Sequence, residues 1–168
     1  MYQFTVPGIP KAQARHRTRV VQSAGKKAFA MNYDPKESRN WKNKVALFAS
    51  QAGIQLIDGP VALIVEAYMP RPKRLMRVND EPGCIPCESK PDWDNIGKGI
   101  SDALNGIAYR DDSQICHSRV VKMYHEKHGS PRCRVTLAPA TALLLLEWTK
   151  LQERIARLGS ATLPGEKR

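Results

Sequence analysis

Pro60 to Met69 restricts the possible folds more than any other segment of the chain. Val61-Ala-Leu-Ile-Val-Glu-Ala-Tyr-Met69 is apolar at odd and even positions alike. A strand turns successive side chains to opposite faces, so this one needs cover on both sides and predicts a central strand in a layered sheet. Other segments supply the rest of that sheet. Residues 2–6 read as a first strand, ended by Pro7-Gly8-Ile9-Pro10. A strand from about Gln114 to Tyr124 follows the Asp111-Asp112 turn, and a last strand, Cys133 to Leu137, follows Gly129-Ser130-Pro131.

Two helices fit the same frame. Asp34-Pro35 resembles a cap with proline at the first helical position. The run to Ala52 then carries Trp41, Val45, Leu47 and Phe48 at helical spacing, with Gly53 as a stop. Asp94 to Asn105 reads as a second helix with Gly106 just past its end. Its Ile96, Ile100, Ala103, Leu104 and Ile107 share one stripe, opposite Asp94, Lys98 and Asp102. Lys11 to Lys27 is basic and has neither hydrophobic period, which predicts a loop or arm. Pro70 to Pro91 holds five prolines and scattered charges, a long surface loop.

The expected fold is therefore α/β (α+β): a single domain over residues 1–138, with helices packed on a mixed sheet. Residues 139–168 form an appended helix and a short tail. Within them Leu144, Trp148, Leu151, Ile155 and Leu158 recur at a seven-residue rhythm, capped by Gly159. That helix, over 140–158, either packs back on the core or meets a second subunit or a protein partner.

Composition narrows the partners. Of the 168 residues 27 are Lys or Arg and 16 Asp or Glu, a net charge of +11. The excess sits at the N-terminus, with ten basic residues against two acids in residues 1–44. A basic surface attracts polyanions, nucleic acid above all. The longest aliphatic stretch, Ala142 to Leu146, is far short of the roughly 20 residues of a membrane span. Apolar residues lead the N-terminus and charges follow, the reverse of a secretory signal, so a cytoplasmic protein is expected. Cys84-Ile-Pro-Cys87 has the spacing of a zinc clip or redox pair. No second such pair accompanies it, and ordinary reduced thiols at Cys84, Cys87, Cys116 and Cys133 are the favoured reading.

Against this basic background the acids gather between Asp92 and Asp112. Asp92 and Asp94 stand two apart at the start of a helix, where in an extended segment they would face one side. Lys98 lies one turn beyond Asp94. Asp111 and Asp112 open the next strand, where the return loop could bring them to the first pair. Crowded carboxylates repel one another unless a cation neutralises them, and all-oxygen ligands suit Mg²⁺ or Mn²⁺. The Asp-x-Asp pair alone is also a common helix cap. With a polyanionic partner, metal-assisted phosphodiester hydrolysis is the natural chemistry.

At these residues the chain resembles RusA-like Holliday junction resolvases. The shared order is Lys90-Pro-Asp92-Trp-Asp94-Asn95-Ile-Gly-Lys98, then Asp102-Ala-Leu-Asn-Gly106, then Asp111-Asp112-Ser-Gln114. The resemblance also takes in the first strand, the Pro-rich turn and the basic stretch Arg15-His16-Arg17-Thr18-Arg19, and spans roughly residues 2–138. It implies that Asp92, Asp94 and Asp112 are metal-binding catalytic acids and Lys98 the catalytic lysine, with supporting roles for Asn95, Asp111 and Gln114. It further implies a homodimer of mixed α/β fold, of bacterial or phage origin, that nicks four-way junctions symmetrically with Mg²⁺ or Mn²⁺.

The basic arm then becomes a DNA-binding element through Lys11, Arg15, His16, Arg17, Arg19, Lys26 and Lys27. Arg71, Lys73, Arg74 and Arg77 form either a second patch or a solvated loop. Trp93 is expected on the core side rather than stacked on a base. Glu66 is either a fourth acid near the metal or a carboxylate at a sheet edge. Two rivals accompany the resolvase reading: a nuclease with broader taste for flaps, forks and loops, and a junction-binding protein that does not cut.

Overall fold

The expected central strand is the middle of a five-stranded sheet. The computed structural model describes residues 1–14, 35–141 and 150, and the backbone path of 17–21 and 29–33. The strands are β1 (Tyr2–Pro7), β4 (Val61–Met69), β5 (Ile85–Pro86), β6 (Ile115–Tyr124) and β7 (Arg132–Pro139), in the order β1-β7-β4-β6-β5. β4 runs antiparallel to β7 and parallel to β6, so the sheet is mixed. Parallel neighbours cannot be joined by a tight hairpin. The chain between β4 and β6 therefore makes a crossover, and the helix α2 (Trp93–Leu104) belongs to it.

That helix and α1 (Lys36–Gln51) cover one face of the sheet. Val61, Leu63, Val65, Ala67 and Met69 of β4 point into this layer, with Phe4 and Val6 of β1 and Val135 and Leu137 of β7. Ile96, Ile100 and Leu104 of α2 are fully buried there, and Trp41, Val45 and Ala49 of α1 close it. The apolar stripe of the acid-bearing helix is thus what fixes its rotation. Gly97 marks its closest approach to the sheet, since a Cβ there would stand 3.0 Å from Val120 Cγ2. The helix stops at Asn105, where Gly106 takes φ +74°.

On the opposite face of β4, Ala62 packs with Ala138 and Ala140. Glu66 lies on this face too. It accepts from Arg134 at 3.4 Å and from the Tyr68 hydroxyl at 3.3 Å, and Arg132 stands 4.1 Å over the Tyr68 ring. A carboxylate on the far face of the sheet cannot serve the acids at α2, which answers the open question about Glu66.

Several expectations need correction. Residues 11–27 are not simply an arm: β2 (Arg17–Val21) pairs with β3 (Phe29–Tyr33) in a two-stranded ribbon of its own. Strands of five residues are too short for an alternation to stand out, so the sequence carries no period to read. Pro35 is the cap residue of α1 rather than its first helical residue. The loop from Pro70 to Pro91 is also built. It holds a 3₁₀ turn at Lys73–Leu75 and β5 at the sheet edge. Arg71 is buried at its base and donates to the carbonyls of Leu75, Glu81 and Gly83 at 2.7–2.8 Å. This arginine staples the loop and leaves only Lys73, Arg74 and Arg77 for a basic patch. The helix expected over 140–158 lies outside the described residues, apart from Ala140, Thr141 and Lys150.

Candidate active site

Asp94 and Lys98 stand one turn apart on α2 and line one side of a cavity of about 200 Å³. Asp112, from the 3₁₀ turn Asp112–Gln114 that leads into β6, lines it as well. Ser101 and Ser118 add hydroxyls, and Leu63, Ile115 and Val120 of the sheet lie against them. Residues from two elements separated in sequence thus meet because α2 packs on β4 and β6 while the 3₁₀ turn begins β6. Asp102, expected on the same helix face, instead takes a salt bridge from Lys42 of α1 at 2.9 Å.

The turn that presents Asp112 is held firmly. Asp111 caps it by accepting from the Ser113 amide at 2.9 Å, which keeps its carboxyl below the ordinary range. Gln114 completes the box by accepting from the amides of Arg110 and Asp111, at 2.8 and 3.3 Å. Its amide nitrogen also donates to the carbonyls of Ile57 and Gly59, at 3.1 and 2.9 Å, and so ties the turn to the loop before β4. Asp111 and Gln114 thus hold the turn that carries Asp112. Asn95 contributes through its backbone, accepting the Gln13 amide at 2.8 Å and binding the start of the basic stretch to α2.

Asp92 stands apart from this group. It is the cap residue of α2, exposed, and its side chain makes no capping hydrogen bond. The helix begins at Trp93, one residue earlier than expected, so Asp92 and Asp94 do not share an extended segment. The alternation that would have aimed both at one side does not apply, and Asp92 is not among the residues lining the cavity. No group of three or more His, Cys, Asp or Glu among the described residues is arranged to hold a metal.

The acids differ in their partners from several carboxylates elsewhere on the chain. Asp58, Glu66, Asp102 and Glu126 each hold an arginine or lysine. Asp92, Asp94, Asp112 and Lys98 have no side-chain hydrogen bond or ion pair among the described residues. Among the described residues no lysine or arginine is ion-paired to Asp94 or Asp112, which leaves both open to an external cation. The cavity lining offers only oxygen donors besides Lys98, a set that fits a hard divalent ion and no soft one.

Sequence reasoning also missed two features near the site. Trp93 is 62% exposed and lines the cavity, not the core. By its spacing it shares the helix side of Ile96 and Ile100, yet at the first helical position it stays exposed. Lys122 of β6 donates to the carbonyls of Ser89 and Pro91, the latter at 2.9 Å, and so steadies the segment that leads into Asp92. Its signal was a lysine alternating with Val120 and Tyr124 on the side of β6 that faces the helices. The two cysteines of Cys84-Ile-Pro-Cys87 flank β5, where extended backbone keeps them apart. All four cysteines are free. Of the DNA-binding candidates, Lys11 pairs with Glu37 at 3.2 Å on the surface. Arg17 and Arg19 fall on β2, described by its backbone, while Arg15, His16, Lys26 and Lys27 lie outside the described residues.

A mixed sheet with two helices on one face, and two acids and a lysine around a cavity at its crossover, is an arrangement suited to work on phosphate esters. Residues 7–138 match the family model described as Endodeoxyribonuclease RusA. The chain belongs to that family, whose activity is endonucleolytic cutting of DNA at Holliday junctions. It is also 37% identical over 146 residues to the uncharacterized protein YqaN of Bacillus subtilis, a match that covers 83% of this chain and 97% of that protein. No described helix is long and apolar enough to cross a membrane.

Proposed function

We propose that the chain is a metal-dependent, structure-selective endonuclease that resolves four-way DNA junctions by paired, symmetric nicks. The observation that carries this reading is the convergence of Asp94, Asp112 and Lys98 on one cavity, with no ion-pair partner among the described residues. Asp94 and Asp112 would hold Mg²⁺ or Mn²⁺, joined by Asp92 from the helix cap. When bound, such an ion activates water and offsets charge on the reacting phosphate.

The chain's own groups do the rest. Lys98 presents an ammonium to the charge that grows on the phosphate oxygens during attack. The first turn of α2 places its unpaired amides and the positive end of its dipole next to the same anion. Gln114 and the Asp111 cap keep Asp112 from drifting. The basic N-terminal stretch, tied to α2 through Gln13, supplies non-specific attraction for the DNA backbone. A homodimer places two such sites about one dyad, matching the symmetry of a four-way junction. A bacterial or phage-infected cytoplasm is the setting this reading implies.

The test uses purified protein with a synthetic four-way junction, a flap and a linear duplex, in magnesium and in chelator. Paired symmetric nicks on the junction, in magnesium alone, are expected. Equal rates on flaps would favour a broader branched-DNA nuclease, and binding without cutting in any divalent metal would overturn the reading.

A further inference from the structure

A second cavity, of about 450 Å³, opens at the segment that runs into Asp92. Its walls are apolar and largely flat: the rings of Pro10, Pro70, Pro72, Pro91 and Tyr124, with Met69. Its cations are Lys11 and Lys90, and no carboxylate among the described residues is part of the lining. Ser89 and Tyr124 bring two hydroxyls, hydrogen-bonded to each other. The volume lies within the range of small-ligand sites, which pair apolar walls with a few placed polar groups.

The chemistry that matches is anionic at one end and a flat, mostly apolar ring at the other, with polar atoms on the ring edge. A nucleotide drawn out of its stack has this character. Its ring would lie against proline and tyrosine faces. A phosphate would meet Lys11 and Lys90, and the Ser89–Tyr124 hydroxyl pair retains unused donor and acceptor capacity for the base edge. Lys11 would exchange its exposed pairing with Glu37 for the phosphate.

Position makes the match specific to the bound strand. Ser89, Lys90 and Pro91 lead directly into Asp92. On the other wall, Lys11 and Ala12 lead into Gln13, whose amide bonds the Asn95 carbonyl in the first turn of α2. Both walls are therefore continuous with the acids. The cavity also keeps its shape unaided, because Lys122 holds the Ser89 and Pro91 carbonyls and its own carbonyl accepts from the Cys87 amide at 3.2 Å.

We infer that this cavity takes one unstacked nucleobase next to the scissile phosphate, and that Ser89 and Tyr124 select among the bases. The inference rests on the endonuclease reading above and adds to it the cavity and the two side chains that would read the base at the cut. Extrusion is least costly where pairing is already broken, so a branch point is where such a pocket would be filled.

The probe is a four-way junction carrying 2-aminopurine at one position at a time around the cleaved bond, bound in chelator so that no cutting occurs. Emission should rise several-fold at one position beside that bond and at its symmetry mate. Ser89→Phe, which sets a ring at the cavity, should abolish the rise and spread cutting over steps the wild-type protein ignores. Tyr124→Phe should keep the rise but change the preferred base. Junctions that are bound and cut with flat emission at every position would overturn the pocket and leave the endonuclease reading standing. If in addition Ser89→Phe converts a dimer to monomer in sedimentation, a side chain of a second copy occupies the cavity instead. A protein that neither binds nor cuts any branched DNA overturns both readings.

Discussion

At the scale of single residues, the decisive contrast is between paired and unpaired carboxylates. Asp102 and Glu66 neutralise a lysine and an arginine, while Asp94 and Asp112 face a cavity with no such partner among the described residues. Asp94→Asn keeps the shape and removes a charge, so cleavage should be lost while junction binding in chelator is kept or strengthened. Parallel cleavage and gel-shift titrations check both halves. Lys98→Ala removes a donor to the developing charge and should lower kcat/KM by about 10²–10³, equivalent to ~3–4 kcal/mol. A loss that comes entirely from a raised KM, with kcat unchanged, would instead place Lys98 in binding alone. Lys98 was legible from its spacing to Asp94, because helical periodicity is local. The exposure of Trp93 was not, because its spacing puts it on the side of Ile96 and Ile100 and only tertiary packing left the first helical position uncovered.

At the scale of elements, the 3₁₀ turn before β6 is the part most exposed to damage. Gln114 joins it to the carbonyls of Ile57 and Gly59, each bond contributing about 1 kcal/mol. Gln114→Ala should lower the unfolding free energy by roughly 1–2 kcal/mol and reduce cleavage, because Asp112 loses its tether. Denaturant titration and a rate assay on the same preparation would separate the two effects. Unchanged cleavage would show that Asp112 is held by the Asp111 cap alone. The loop from Pro70 to Pro91 teaches the complementary lesson. Its prolines mark the absence of a helix or long strand, but nothing local reveals that Arg71 turns inward onto three carbonyls. A buried arginine without a carboxylate has no sequence signature. It arises where the loop happens to close around it.

At the scale of the whole molecule, one ion-pair group joins the loop after β6 to β7. Glu126 accepts from Arg132 and from the Cys84 thiol. Its own backbone amide, followed by Arg132, lowers its carboxyl from 4.5 to about 2. A carboxyl depressed in the folded state contributes stability in full above its unfolded pKa and loses it as pH falls. Thermal stability should therefore decline between about pH 4.5 and 2, and Glu126→Gln should flatten that part of the profile. Melting temperatures of both proteins across this range make the comparison, and parallel curves would exclude the group as a source of acid lability.

What the sequence determined by itself is whatever short-range pattern can encode. It places the two-sided strand at Val61–Met69, the two helices and their glycine stops, and the order of acids and lysine that marks the family. Tertiary structure alone decided which of those acids meet. Asp94 and Asp112 lie 18 positions apart and converge only because a parallel β4–β6 pair forces a crossover that packs α2 over the start of β6. The same packing leaves Asp92 at the helix cap and turns Glu66 to the far face. Periodicity sets the face a residue occupies within its own element, but which elements share a cavity depends on how the buried faces cover one another.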